Sequence, residues 1–176
     1  MNGRGANDLP DTLQSPRPMP HADLSTLPHA IEAPRLVLDT NVVLDWLLFR
    51  NPACAALDEA LTTGRAIWVA SIAMHDELMH VLSRGTLAAW QPDLEAIATA
   101  RERWAHTVAP SATFASPRLR CTDPDDQKFI DLALQLGTAS LLSRDRAVLK
   151  LARRAREAGV AILTPEAWAR QRPASH

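Results

Sequence analysis

The sequence predicts an α/β domain built on a mainly parallel sheet, and three observations predict it. From Arg35 onward, short apolar runs alternate with stretches of helical periodicity, the order expected of repeated strand–helix–strand units. Gly64, Gly137 and Gly159 close helical stretches as C-terminal stops. A chain of 176 residues with 47% hydrophobic content fills one core and hardly two.

The elements follow in order. Residues 1–33 hold a run of prolines (Pro10, Pro16, Pro18, Pro20 and Pro28) among polar residues without a hydrophobic period, and read as a disordered tail. The folded domain is expected over 34–170, with a flexible C-terminal tail over 171–176. Leu36-Val37-Leu38 forms the first strand and ends at Asp39. Helical patterns cover 42–49 and 53–63. A second strand spans 67–70, and Ser71 then stands where a cap belongs before a helix over 72–83. A helix over 92–106 leads to a short strand at 107–109, and 110–122 has no period and reads as a surface loop. Residues 125–136 are helical, 139–142 a strand, 147–158 helical, 160–163 the last strand, and a short helix begins near Pro165. There are no internal repeats.

Composition limits the partners. A net charge of −1 and a pI near 6.6 give no global attraction for a polyanion, so any nucleic-acid contact rests on local charge. Cys54 and Cys121 match no ligand spacing and read as reduced thiols of a cytosolic protein, with neither disulfide nor zinc. No stretch approaches the roughly 18 apolar residues of a membrane span, and the N-terminus lacks an export pattern. A soluble, cytoplasmic protein without membrane contact is expected.

Four acids fall where an open parallel sheet concentrates chemistry, at the carboxyl ends of strands and the first turns of helices: Asp39, Glu77, Asp126 and Asp145. Asp39 ends the first apolar run and precedes Thr40-Asn41; it reads as a helix cap or as a carboxylate emerging at the sheet edge. Glu77 lies beside the apolar face of Met74, Leu78, Val81 and Leu82, where it is either a solvated edge residue or a charge needing a cation. Asp123-Pro124-Asp125-Asp126 spells out a helix start, which alone explains its acids. Asp126 nonetheless shares a face with Phe129, Ile130 and Ala133, whereas Asp123 and Asp125 read as structural or outer residues. Asp145, in Ser143-Arg144-Asp145 after a strand, is again cap or site.

Taken together in chain order, four segments resemble the PIN-domain family: Leu36-Val37-Leu38-Asp39-Thr40-Asn41-Val42-Val43, Glu77-Leu78, Asp123-Pro124-Asp125-Asp126-Gln127-Lys128-Phe129 and Leu141-Leu142-Ser143-Arg144-Asp145. The resemblance covers about residues 35 to 168 and is closest to bacterial VapC-like toxin components of toxin–antitoxin systems. It implies a three-layer α/β/α fold with a five-stranded parallel sheet, and a metal-dependent endoribonuclease. It further implies that Asp39, Glu77, Asp126 and Asp145 are catalytic and metal-binding, with Asn41 and Ser143 as supporting polar positions. Ser143 stands where threonine is commoner in the family, and keeps the hydroxyl. Asp126 is preferred to Asp123 because its spacing to Gly137 matches the family's helix. Hard oxygen ligands suit one or two Mg²⁺ or Mn²⁺ ions, which would screen the phosphate, activate water and stabilise the leaving oxygen. Asp39 is expected to contact both metals or the principal one, with Glu77 and Asp126 completing that site, and Asp145 to be a more peripheral or second-metal ligand. The implied partners are an RNA substrate, a small antitoxin protein and a second copy of the chain.

Other features have two readings or one. Arg146, Lys150, Arg153 and Arg154 would share one face of the helix after Asp145, either as a solvated face or as a stripe that tracks RNA phosphates; Arg118 and Arg120 could add to it. His75 and His80 flank Glu77 at i and i+5, roughly 140° apart around a helix, which argues against a shared zinc. Trp46, Trp68 and Trp104 read as core. An aspartyl-phosphate phosphatase needs an aspartate where Asn41 stands, and a receiver domain needs a lysine that residues 160–165 do not supply. A PIN fold reduced to binding RNA or protein is the non-enzymatic alternative.

Overall fold

The computed structural model describes residues 33–109, 119–137 and 139–171. The tail expectations for residues 1–32 and 172–176, and most of the loop expected over 110–122, lie outside the described residues.

Five strands pair in parallel as one sheet: β1 (Arg35–Leu38), β2 (Ile67–Ala70), β3 (Ala105–Thr107), β4 (Ser140–Leu142) and β5 (Ala161–Leu163). Their order is β3-β2-β1-β4-β5. Around them lie α1 (Thr40–Leu47), α2 (Ala55–Thr62), α3 (Ile72–Ser83), α4 (Leu94–Trp104), α5 (Gln127–Leu136), α6 (Arg146–Leu149), α7 (Ala152–Glu157) and α8 (Pro165–Arg170). Helices on both faces make the three-layer α/β/α arrangement.

Covering both faces explains why the strands read as continuous apolar runs. Leu36, Val37, Val69, Leu141 and Leu142 are all fully buried. Trp46 and Trp68 are buried with ring centroids 5.9 Å apart, and the half-buried Trp104 lies 5.7 Å from Trp46. The indole Nε1–H of Trp46 donates to Asp58 Oδ1 at 2.7 Å, whereas that of Trp68, also buried, has no hydrogen-bond partner among the described residues. The two stop glycines at the other end meet backbone to backbone. Gly159 has φ +80°, and a Cβ there would lie 2.9 Å from the Gly137 carbonyl oxygen.

Strand order also locates the functional edge. The chain builds outward from β1 to β2 and β3, then returns to the other side of β1 for β4 and β5. The reversal falls between β1 and β4, and in open parallel sheets the crevice at such a switch point is where ligands bind. Leu38 pairs with Leu142, so the next residues of the two strands, Asp39 and Ser143, stand side by side at this crevice.

Two expectations are corrected. β3 begins at Ala105, two residues before the expected strand, and α4 ends at Trp104. Pairing of Ala105, His106 and Thr107 with Trp68, Val69 and Ala70 overrides a helical period that continued to His106. The single helix expected over 147–158 is two short helices joined by a turn at Lys150-Leu151, where Leu151 N–H donates to Val148 C=O at 3.0 Å. That tightened turn keeps Val148, Leu151 and Ala155 all buried. Arg146 and Lys150 therefore do not share one continuous helical face with Arg153 and Arg154.

Candidate active site

The first acid is set by β1. Asp39 is only 2% exposed, and its carboxylate does two jobs. Oδ1 accepts the Asn41 backbone N–H at 3.2 Å, capping α1, while Oδ2 accepts the Ser143 hydroxyl at 2.5 Å. Burial pushes this carboxyl up, against the pull of the two hydrogen bonds, and the charges of Glu77 and Asp145 push it further. Asn41 supports Asp39 through its backbone, and its side chain is exposed.

Ser143 links three strands. Fully buried, it donates its hydroxyl to Asp39 and accepts the Asp145 backbone N–H at 2.9 Å on the same oxygen, while its own N–H donates to Leu163 C=O at 3.0 Å. Asp145 in turn caps α6, its Oδ1 accepting from Ala147 N–H at 2.5 Å and Val148 N–H at 3.4 Å. For Asp39 and Asp145, cap and cleft carboxylate are therefore the same residue. Ser143→Ala leaves the part-buried Asp145 N–H without its acceptor and the buried Asp39 carboxylate without one of its two donors. We expect it to cost about 1–3 kcal/mol in chemical denaturation. Ser143→Thr keeps the hydroxyl and should retain most of that stability.

Glu77 reaches the same edge from α3 and is half-buried. Its Oε1 accepts the Thr40 hydroxyl at 2.7 Å, and its Oε2 is ion-paired with Lys128 Nζ. Sequence reasoning assigned no role to Thr40 or Lys128. The available signal was Lys128 itself, a cation in the first turn of α5 at the positive pole of the helix, where it requires an anion nearby.

The Asp126 side chain makes no hydrogen bond or ion pair with the described residues, in contrast to its neighbours in the cleft. Its carboxyl is pushed up to about 6, first by burial and then by the charges of Asp39, Asp145, Asp123 and Glu77. Asp123 is exposed and caps the 3-10 turn Pro124–Asp126 by accepting the Asp125 N–H at 2.9 Å. Cys121 borders the cleft: burial, then the charges of Asp126 and Asp145, push its thiol up and keep it neutral.

The fit to a divalent ion has two sides. Carboxylate oxygens backed by hydroxyls are the donors that Mg²⁺ or Mn²⁺ selects, and mutual repulsion marks a cleft short of positive charge. Among the described residues, however, no three of His, Cys, Asp and Glu close on a common point. One of the four acids, Glu77, is instead ion-paired with Lys128.

Further residues frame the site. Arg144, also not singled out from sequence, ion-pairs with Asp45 of α1 and, at 2.8 Å, with Glu166 of α8, tying the β4–α6 turn to both helices. Arg146, Lys150 and Arg153 are exposed, as is Arg120; Arg118 lies outside the described residues. His75 is buried, shares a hydrogen bond with Thr107 Oγ1 at 3.1 Å, and is pushed down to about 4 by burial and then by Arg101. His80 is exposed against Arg84, so the two histidines serve different environments.

No described helix is long and apolar enough to cross a membrane. No curated protein matches the chain. A family model described as PIN domain matches residues 35–147, from the first residue of β1 past Asp145 into α6. That span takes in well over half of the chain and every acid of the crevice, so the chain belongs to the PIN-domain family, whose members are generally nucleases.

Proposed function

We propose that the protein is a metal-dependent endoribonuclease in which Asp39, Glu77, Asp126 and Asp145 hold one or two Mg²⁺ or Mn²⁺ ions. The carrying observation is that acids from four separate segments bear on one another's charge at the switch-point crevice, with Asp39 buried and Asp126 unpartnered. Hydrolysis adds a water oxygen to phosphorus and breaks one bridging P–O bond, and its anionic substrate must enter a cleft already rich in negative charge. A divalent ion bound there supplies the neutralising charge and a water of lowered pKa.

The chain's own residues prepare for that load. Asp39 is oriented by Ser143 and by the start of α1, Glu77 by Thr40, and Asp145 by the start of α6. Asp126, without a partner, gains most from an incoming cation. Asn41 and Asp123 act as supports through the turns they shape. Arg146, Lys150 and Arg153 offer exposed charge to RNA phosphates as two short clusters.

Labelled single-stranded RNA incubated with the full chain and millimolar Mn²⁺ should be cut, and a chelator should abolish the cutting. Intact RNA with either Mn²⁺ or Mg²⁺, or cutting that survives the chelator, contradicts the proposal. In the cell we place the protein in the cytoplasm, as a homodimer and as the toxin half of a two-gene module, a reading that rests on the VapC-like resemblance. Its small antitoxin protein would silence it by presenting an arginine to the carboxylates in place of a metal. Expression of the chain alone should arrest growth, and Asp145→Asn should not; arrest by the inactive variant would separate toxicity from cleavage.

A second reading, a PIN-fold module that binds RNA or protein with little or no catalysis, draws on the Glu77–Lys128 pair and on the absence of a closed three-acid cluster among the described residues. Salt-sensitive RNA binding without cleavage in Mn²⁺ would favour it.

A further inference from the structure

The geometry points to Lys128 as the resident counter-cation of the acidic crevice, one that a divalent ion must displace from Glu77 in order to bind. This rests on the proposed reading of the four acids as a metal centre, and goes beyond it by giving the cleft a built-in competitor. Both side chains of the pair are about a quarter exposed (26% for Lys128, 27% for Glu77), so solvent screens the pair only in part and an ion from solution can reach it.

Three observations carry the inference. Glu77 Oε1 already accepts the Thr40 hydroxyl, while Oε2 accepts no hydrogen bond and is the less committed oxygen for an incoming ion, and Oε2 is the atom that Lys128 holds. Two cations cannot share that oxygen at contact distance without strong repulsion. Lys128 is also anchored where a lysine is disfavoured. In the first turn of α5 its charge opposes the helix dipole, and it is retained by Glu77, by the Asp125 carbonyl and by the Phe129 ring at 5.1 Å. Finally, Arg144 is committed to Asp45 and Glu166 behind the turn, so it does not serve the crevice.

Metal affinity is consequently set by an exchange of cations on Glu77. Breaking the ion pair subtracts from the free energy of metal binding, and the displaced ammonium stays on its four-carbon stem at the mouth of the cleft, where a phosphate oxygen would arrive. Lys128 is thus a positioning residue, acting through Glu77.

Calorimetric titration of Mn²⁺ into the full-length wild type, Lys128→Gln and Lys128→Arg tests this directly. Lys128→Gln removes the competitor and should bind Mn²⁺ about 5- to 10-fold more tightly, with a larger Mn²⁺-induced rise in melting temperature. Lys128→Arg keeps a cation on Glu77 and should bind no more tightly than wild type, which separates displacement from a general change in packing. Equal or weaker binding by Lys128→Gln, in a variant with wild-type circular dichroism, overturns the inference. If that occurs while the wild type binds Mn²⁺ and cuts RNA, the metal-dependent nuclease reading stands and only the role of Lys128 falls. If neither wild type nor Lys128→Gln binds Mn²⁺, both fall.

Discussion

Replacing Asp39 by asparagine is expected to lower RNA cleavage by about 10³-fold or more while leaving the fold intact. The carboxylate lies at the end of the central strand, and the other acids bear on it electrostatically, so its charge is the one a bound cation would use most. The fold should survive because the amide can reuse both existing contacts. Its oxygen takes the Asn41 N–H, and its NH₂ donates to the Ser143 oxygen, which then accepts from two N–H groups and turns its own proton away. Relief of a buried charge offsets part of the lost charge-assisted bonds, but the buried Ser143 proton loses its acceptor, so the variant should be less stable by about 1–2 kcal/mol while remaining folded. Single-turnover cleavage and thermal melts on the same preparation check both halves. More than a tenth of wild-type activity in the variant would remove Asp39 from the centre of the site.

Asp126→Asn should move stability and activity in opposite directions. The Asp126 carboxyl is pushed from the usual 3.8 up to about 6, by burial first and then by the four neighbouring acids. The native protein therefore binds this proton more tightly than the unfolded chain does. The favourable contribution is complete below about pH 4 and is lost as pH rises through about 6. Metal-free protein should lose stability from this group across that window, and Asp126→Asn should abolish the loss. At pH 7 the variant gains about 1 kcal/mol once the shift is discounted for solvent screening, visible as a melting temperature several degrees higher without metal. The same change should abolish detectable cleavage and most of the stabilisation by Mn²⁺. Asp123→Asn, by contrast, touches a cap and should leave cleavage standing. Normal cleavage by Asp126→Asn together with loss in Asp123→Asn would transfer the role to Asp123.

Much of the sheet was legible because its central strands are buried on both faces and so announce themselves as apolar runs. β3 was misplaced for the converse reason: Ala105-His106-Thr107 lies at the sheet edge, half-exposed, and carries no apolar run. The break at Lys150-Leu151 was hidden because Val148, Leu151 and Ala155 keep a helical period straight through the turn. In the crevice, Asp39 and Asp145 could be read as caps or as cleft carboxylates because they are both. Thr40, Lys128 and Arg144 depend instead on partners brought close only by folding. Thr40 meets Glu77 across 37 positions and Arg144 meets Asp45 across 99, and local spacing encodes neither pairing.

The measurement closest to the central claim, that these acids form one cation site, is anomalous scattering from crystals of the full chain grown with Mn²⁺. A peak with oxygens of Asp39 and Asp126 at about 2.0–2.2 Å, and with Lys128 withdrawn from Glu77, is the predicted result. A peak ligated elsewhere on the molecule, or none at millimolar Mn²⁺, would contradict it.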